Sequence, residues 1–109
     1  MLKLQVILPT NDIREISEEL KKIDIGGITV FKGWGRGKSI PSEIHSSKGT
    51  EIFLPEFSSR YILEVVIPES KKDDAVNIIR LNSKLGKIFI SSISEALDIP
   101  SAKKGEEII

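Results

Sequence analysis

Cysteine is absent from this 109-residue chain, and histidine, methionine, tryptophan and tyrosine occur once each. Without cysteine there is no disulfide, no thiol nucleophile and no thiolate metal site. The charges cancel: sixteen Lys/Arg against sixteen Asp/Glu leave no net field to draw in a polyanion. The global basic signature of a nucleic-acid binder is therefore missing. Long apolar runs are missing too. The opening Met1-Leu2-Lys3-Leu4-Gln5-Val6 alternates instead of forming the apolar centre of a signal peptide, and no stretch is long enough to cross a bilayer. The expectation is a cytoplasmic protein with no direct membrane insertion and no nucleic-acid partner. Residues 1–109 are expected to form a single domain, large enough for one core.

Periodicity divides the chain into two similar halves. Leu2, Leu4, Val6 and Leu8 alternate with polar residues, which predicts a strand buried on one face, and Pro9 ends it. Asp12 and Glu15 have capping-box spacing, and Ile13, Ile16, Leu20 and Ile23 then recur at helical intervals, with Glu18 and Lys22 paired on the wet side. Gly26-Gly27 is expected to close that helix before a strand over Ile28–Phe31. A second unit repeats the order. Tyr61, Leu63, Val65 and Ile67 share one strand face, Ser70 and Asp73 start a helix with Ala75, Val76, Ile78 and Ile79 inward, and Lys87–Ile90 forms a short strand. Ser91–Leu97 reads as a helical turn before a polar tail over 98–109.

Two βαβ halves of this size predict an α+β, ferredoxin-like βαββαβ fold, an antiparallel sheet with both helices on one face. The other face then carries Ile7, Ile62, Val66 and either Ile88 and Ile90 or Phe89, too much apolar surface for a wet sheet. Self-association is the expected remedy.

Between strands 2 and 3 lies a long loop, residues 35–60, without convincing helical or strand periodicity. Loops beyond about 15 residues are usually functional or disordered. Its mouth, Gly33-Trp34-Gly35-Arg36-Gly37-Lys38, interleaves glycines with cations, a backbone able to approach an anion closely. It is neither a Walker A loop nor a dinucleotide fingerprint, since it follows a strand without opening a helix. Gly86-Lys87 is a second glycine-cation step, at the start of the last strand, and subunits meeting edge to edge would bring the two steps together. Trp34 is expected either to plug the sheet edge or to line a ligand cleft. His45 has no Ser/Asp set around it, and Glu43, Glu51 and Glu56 lack the fixed spacing of an acid/base pair. No catalytic residue and no metal site are assigned, so the chain is not expected to be an enzyme.

Four segments in order, Gly27-Ile28-Thr29-Val30, Gly33 to Lys38, Lys48-Gly49-Thr50-Glu51 and Gly86 to Ile90, followed by Gly105-Glu106-Glu107, resemble the PII signal-transduction (nitrogen regulatory) family. The chain resembles a divergent, archaeal-like member, and the likeness spans nearly its whole length. The resemblance implies a homotrimer whose protruding loop contacts a regulated enzyme or membrane transporter, with His45, Lys48 and Glu51 as contact residues here. It implies an adenine nucleotide in each inter-subunit cleft: AMP, ADP or ATP as an effector, not an obligatory cofactor. Carried over by position, Gly35 and Arg36 border the nucleotide at the loop base, Thr29 lies near the adenine, and Gly86 and Lys87 approach the phosphates; Lys38, a cation of the same loop mouth, is a further ligand-binding candidate. Ile7 and Val66 frame the base.

Several positions depart from the family pattern. Gly37 replaces the glutamine that helps many members hold magnesium and 2-oxoglutarate, which counts against that ligand. Ile52 replaces the loop tyrosine that some members modify. The phosphate loop has shrunk to Ser83-Lys84-Leu85-Gly86, and Asp98 and Pro100 stand where two arginines reach the phosphates. Losing such contacts costs about 1.5–3 kcal/mol per charged hydrogen bond. Lys84, Lys103 or Lys104 compensating in part, or a ligand smaller than a triphosphate, are the two consequences weighed. The alternative is a CutA-like or ligand-free structural trimer that has lost nucleotide binding.

Overall fold

A computed structural model describes residues 1–38, 44–45, 52–53 and 56–109 of the chain. Strand β1 (Leu2–Leu8) is followed by helix α1 (Ile13–Lys21) and β2 (Thr29–Gly35). Two short strands, β3 (Ile44–His45) and β4 (Ile52–Phe53), pair antiparallel within the long loop. Then come β5 (Ser58–Ile67), a 3-10 turn over Glu69–Lys71, α2 (Lys72–Asn82) and β6 (Lys87–Ser92). The main sheet has the order β2-β5-β1-β6, with every neighbouring pair antiparallel. This is the ferredoxin-like α+β architecture that the two βαβ halves predict.

The alternation in β1 and β5 sends Leu4, Val6, Leu8, Leu63, Val65 and Ile67 to one face, where all six are buried. Ile16 and Leu20 of α1 and Ala75 and Ile79 of α2 close over them, each at most 2% exposed. Fully burying a Leu, Ile or Val contributes about 1.5–3 kcal/mol, so this cluster dominates the stability of the sheet and fixes its register. Val76 and Ile78 only pack against its rim.

Both helix starts and one helix end differ from expectation. Asp12 and Glu15 form no capping box: the Asp12 carboxylate makes no cap bond and instead accepts from Thr10 Oγ1 at 2.7 Å and lies 3.1 Å from Ser83 Oγ. The chain thus uses Asp12 to tie the α1 entry to the segment after α2. Nor does Ser70 cap α2, which grows out of the 3-10 turn. Lys22 pairs with Glu19 at 2.8 Å, not with Glu18, and that bond pushes the ammonium pKa up.

The turn that closes helix α1 runs over Lys22–Asp24, ahead of the two glycines. Asp24 N donates to Lys21 O at 3.1 Å and Ile25 N to Leu20 O at 3.1 Å, a Schellman closure with Asp24 as the left-handed residue at φ 60°. Ile25 and Leu20, the apolar pair that accompanies such a closure, are both buried. Glycine adopts this conformation without strain, so Asp24→Gly is expected to stabilise the chain by about 0.5–1 kcal/mol, read as a rise in Tm. An unchanged or lower Tm would show that the aspartate is not strained.

Strands also run longer than their apolar cores. β2 continues through Gly33-Trp34-Gly35, paired with Arg60, Ser59 and Ser58, which shortens the loop at both ends. The loop itself contains the β3–β4 pair, where no strand is expected. β6 extends to Ser92, and the segment after it is no helical turn. Leu97 and Lys104 form an antiparallel bridge around a tight turn instead. There Asp98 Oδ2 accepts from Ser101 N at 3.2 Å and Ser101 Oγ at 2.6 Å. Asp98 and Pro100 therefore build a turn.

Candidate functional site

The face away from the helices carries the candidate residues, and the strand register arranges them in rows. Phe31, Ile62, Ile7 and Lys87 stand side by side across the four strands. The next row is Thr29, Glu64, Gln5 and Phe89, and the one after holds Val66, Lys3 and Ser91. Pairing with Gln5 thus puts Phe89, not Ile88 and Ile90, on the open face. Phe31 and Phe89 are 46% and 52% exposed there. An ion pair, Lys3 Nζ to Glu64 Oε2 at 2.5 Å, crosses the middle of this face, and among the described residues the buried Glu64 Oε2 has no hydrogen-bond partner.

At the loop end of the face, glycines make room for an arginine. A Cβ on Gly35 would lie 3.0 Å from Arg60 Cγ, and one on Gly33 would lie 3.4 Å from Ile62 Cδ1. Arg60 uses that space, its Nη1 donating to Ser58 Oγ and, at 3.1 Å, to Ser59 O. Arg36 leaves the end of β2 and pairs through Nη1 with Glu56 Oε1, while its guanidinium lies 5.8 Å from the Phe57 ring centroid. Trp34 is 75% exposed, so it does not plug the sheet edge.

The second glycine-cation step is built differently. Gly86 has φ 120°, and a Cβ there would come within 2.4 Å of Ile7 O and 3.0 Å of Leu8 Cδ2. The fold itself demands glycine at this point. Lys87 follows on the exposed edge strand, opposite Ile7. A cleft of about 540 Å³ adjoins it, with Arg80, Ser83 and Lys84 among its walls. A second cleft, about 600 Å³, lies at the other end of the sheet and includes Gly27, Thr29, Glu64 and Val66.

The candidate residues thus fall into three groups within one chain. Gly86, Lys87 and Ile7 are neighbours, as are Thr29 and Val66. Gly35 and Arg36 stand on the opposite edge strand from Lys87, three strand spacings across, about 14 Å at about 4.8 Å each, and at least four residues further along the strand direction, since Phe31 and not Gly35 is level with Lys87. Ile7 and Val66 are two rows apart and do not frame one site within a chain. Lys38 follows the end of β2, and His45 sits on β3 opposite Ile52. Lys48, Glu51 and Glu43 lie outside the described residues.

The Nitrogen regulatory protein P-II family model matches residues 1–103. The chain belongs to the P-II family. It is 31% identical to the nitrogen regulatory protein P-II of Bradyrhizobium diazoefficiens and 31% identical to that of Rhodobacter capsulatus, in both cases over the full length of both chains. Its fold is similar to the structure of B. subtilis GlnK, with a TM-score of 0.77 at 22% identity, covering 99% of this chain and 97% of that one. P-II proteins are signal-transduction regulators, and this P-II chain carries the ferredoxin-like fold of the group.

Arg60 is a further cation on the candidate face that is not among the residues singled out from the sequence. The signal was available: extending the β5 alternation back from Ile62 puts residue 60 on the open face, opposite glycines that leave it room. Among the described residues of this P-II chain, Lys104 is engaged with Glu95 at 3.4 Å, whereas Lys84, Lys87 and Lys103 have no ion-pair partner. No described helix is long and apolar enough to cross a membrane.

Proposed function

We propose that this P-II chain is a non-enzymatic regulator that binds an adenine nucleotide between subunits of a homotrimer and signals through its long loop. One observation carries the reading: the two glycine-cation steps occupy opposite edges of one sheet, so a neighbouring chain is needed to complete a cleft containing both. The apolar open face, with Phe31 and Phe89 half exposed, supplies a reason for chains to associate. In such a cleft Gly35, Arg36 and Lys38 come from one subunit's loop base and Gly86 and Lys87 from a sheet edge. Thr29, Ile7 and Val66 supply the surroundings of the base.

The phosphate side is lean. Asp98 and Pro100 are committed to a turn and Lys104 to Glu95, so of the three lysines weighed Lys84 and Lys103 are left to assist Lys87, with Arg80 in the wall of the adjoining cleft. The reading therefore favours AMP or ADP over ATP, and Gly37 after Arg36 counts against 2-oxoglutarate. The loop, with His45, Lys48 and Glu51, is assigned to contact with an enzyme or membrane transporter in the cytoplasm.

Calorimetry against ATP, ADP and AMP, with and without 2-oxoglutarate, tests this on material of verified trimeric mass. ADP or AMP is expected to bind at least as tightly as ATP, with no gain from 2-oxoglutarate. Lys87→Ala is expected to weaken ADP about tenfold, the loss of one charged hydrogen bond, and to leave the melting curve unchanged because Lys87 is exposed. Tight magnesium-dependent ATP binding would overturn the preference for smaller nucleotides. A trimer that binds none of them would be the ligand-free structural alternative.

A further inference from the structure

We infer that Glu56 is a latch on Arg36, a positioning residue that competes with the anionic ligand for the same guanidinium. The inference rests on the proposed nucleotide site. β2 and β5 close their register at Gly35 opposite Ser58, and one further step places Arg36 opposite Phe57. There the guanidinium lies over the Phe57 ring at 5.8 Å and pairs with the Glu56 carboxylate. Two contacts from the returning end of the loop thus hold one cation from its outgoing end. The ring takes one face of the planar group and the carboxylate takes Nη1, so the guanidinium direction is set without any ligand.

A phosphate reaching Arg36 meets a carboxylate already in place. The two anions repel, and the guanidinium can turn its fork to only one of them at full strength. Ligand binding therefore displaces Glu56 and frees the segment entering β5 from the loop base. Displacement makes occupancy legible to the loop, because the ligand has different affinity for the latched and unlatched arrangements. The pair is 60% and 64% exposed, so its hold is weak and the ligand overcomes it readily.

The test compares the parent chain with Glu56→Gln, Arg36→Gln and the double variant, read by Trp34 emission without ligand and by ADP calorimetry. Trp34 is the only tryptophan and lies two residues from Arg36. Both single variants are expected to shift its emission alike, with no further shift in the double variant, as for two members of one contact. Glu56→Gln is expected to bind ADP about two- to five-fold tighter than the parent, matching the hold of an exposed ion pair. Unchanged emission in all variants would overturn the latch. So would equal ADP affinity of Glu56→Gln and a parent that binds ADP, and the nucleotide site would then stand without it. Absence of ADP binding to the parent and to Glu56→Gln would overturn both.

Discussion

Gly86→Ala is expected to destabilise the ligand-free protein by about 2–4 kcal/mol and to lower its Tm by roughly 8–20 °C. Two costs combine. At φ 120° an L-residue is strained whatever space surrounds it, and here the space is already taken. The added methyl would meet the backbone oxygen of Ile7 at 2.4 Å, and that oxygen belongs to the strand at the centre of the sheet. Relief would require moving β6 away from β1, breaking the pairing of Lys87 with Ile7. Gly26→Ala is the matched control: nothing lies within 4 Å of its Cβ, and the expected change is within about 0.5 kcal/mol. Because the melt is run without nucleotide, a glycine retained only for close approach of a phosphate would leave Tm unmoved. A Gly86→Ala protein melting with the parent would show that the Ile7 approach does not require glycine.

That prediction also marks how far the sequence could be read. Period-two patterns in β1 and β5 and the helical stripe of α1 were legible because each element buries one face, and burial writes itself into spacing. Helix ends were less so. Asp12 has the right neighbours for a capping box, yet its carboxylate serves Thr10 and Ser83, the latter seventy-one positions away in sequence. No local pattern encodes such a partner. Asp24 closes α1 in a conformation usually left to glycine, with two glycines just beyond it as decoys. The extensions of β2 and β5 were hidden because Gly33, Gly35, Ser58 and Ser59 carry no strand preference, and cross-strand pairing alone holds them.

For the site, the sequence named both glycine-cation steps but not the reason for either. At Gly35 a Cβ would crowd the Arg60 side chain, whereas at Gly86 it would meet the backbone of β1. Gly86 needs no ligand to explain its glycine, so there the functional weight moves to the cation beside it. Arg36 is held by Glu56 and Phe57, while Lys87 has no ion-pair partner among the described residues. One edge of the sheet thus presents a restrained cation and the other a free one. A cleft assembled from both edges would meet Lys87 unpaired and Arg36 already paired with Glu56. Such a cleft needs the chains to meet, which makes the open face the decisive element.

Phe31→Arg combined with Phe89→Arg is accordingly expected to convert a trimer into a monomer, one third of the parent mass in sedimentation at micromolar concentration. Phe31 on β2 and Phe89 on β6 lie at the two edges of the open face in adjoining rows, with Ile62 and Ile7 beside Phe31 in its row. Covering a fully exposed phenylalanine contributes about 1.5–3 kcal/mol, and these two begin about half exposed. Each copy thus loses roughly 1–1.5 kcal/mol of burial per site and gains a guanidinium with no carboxylate to meet it. The only described carboxylate in those two rows, Glu64, is already paired with Lys3. The helical core should be untouched, because neither phenylalanine belongs to it, and the circular dichroism of the variant should match the parent. Leu81→Arg is the control: Leu81 is 84% exposed on α2, on the other side of the sheet, and its replacement should leave the mass at three chains. A double variant that stays trimeric would place the interface elsewhere. A parent that is itself monomeric at that concentration would remove the shared cleft, and with it the means by which Arg36 and Lys87 act on one ligand.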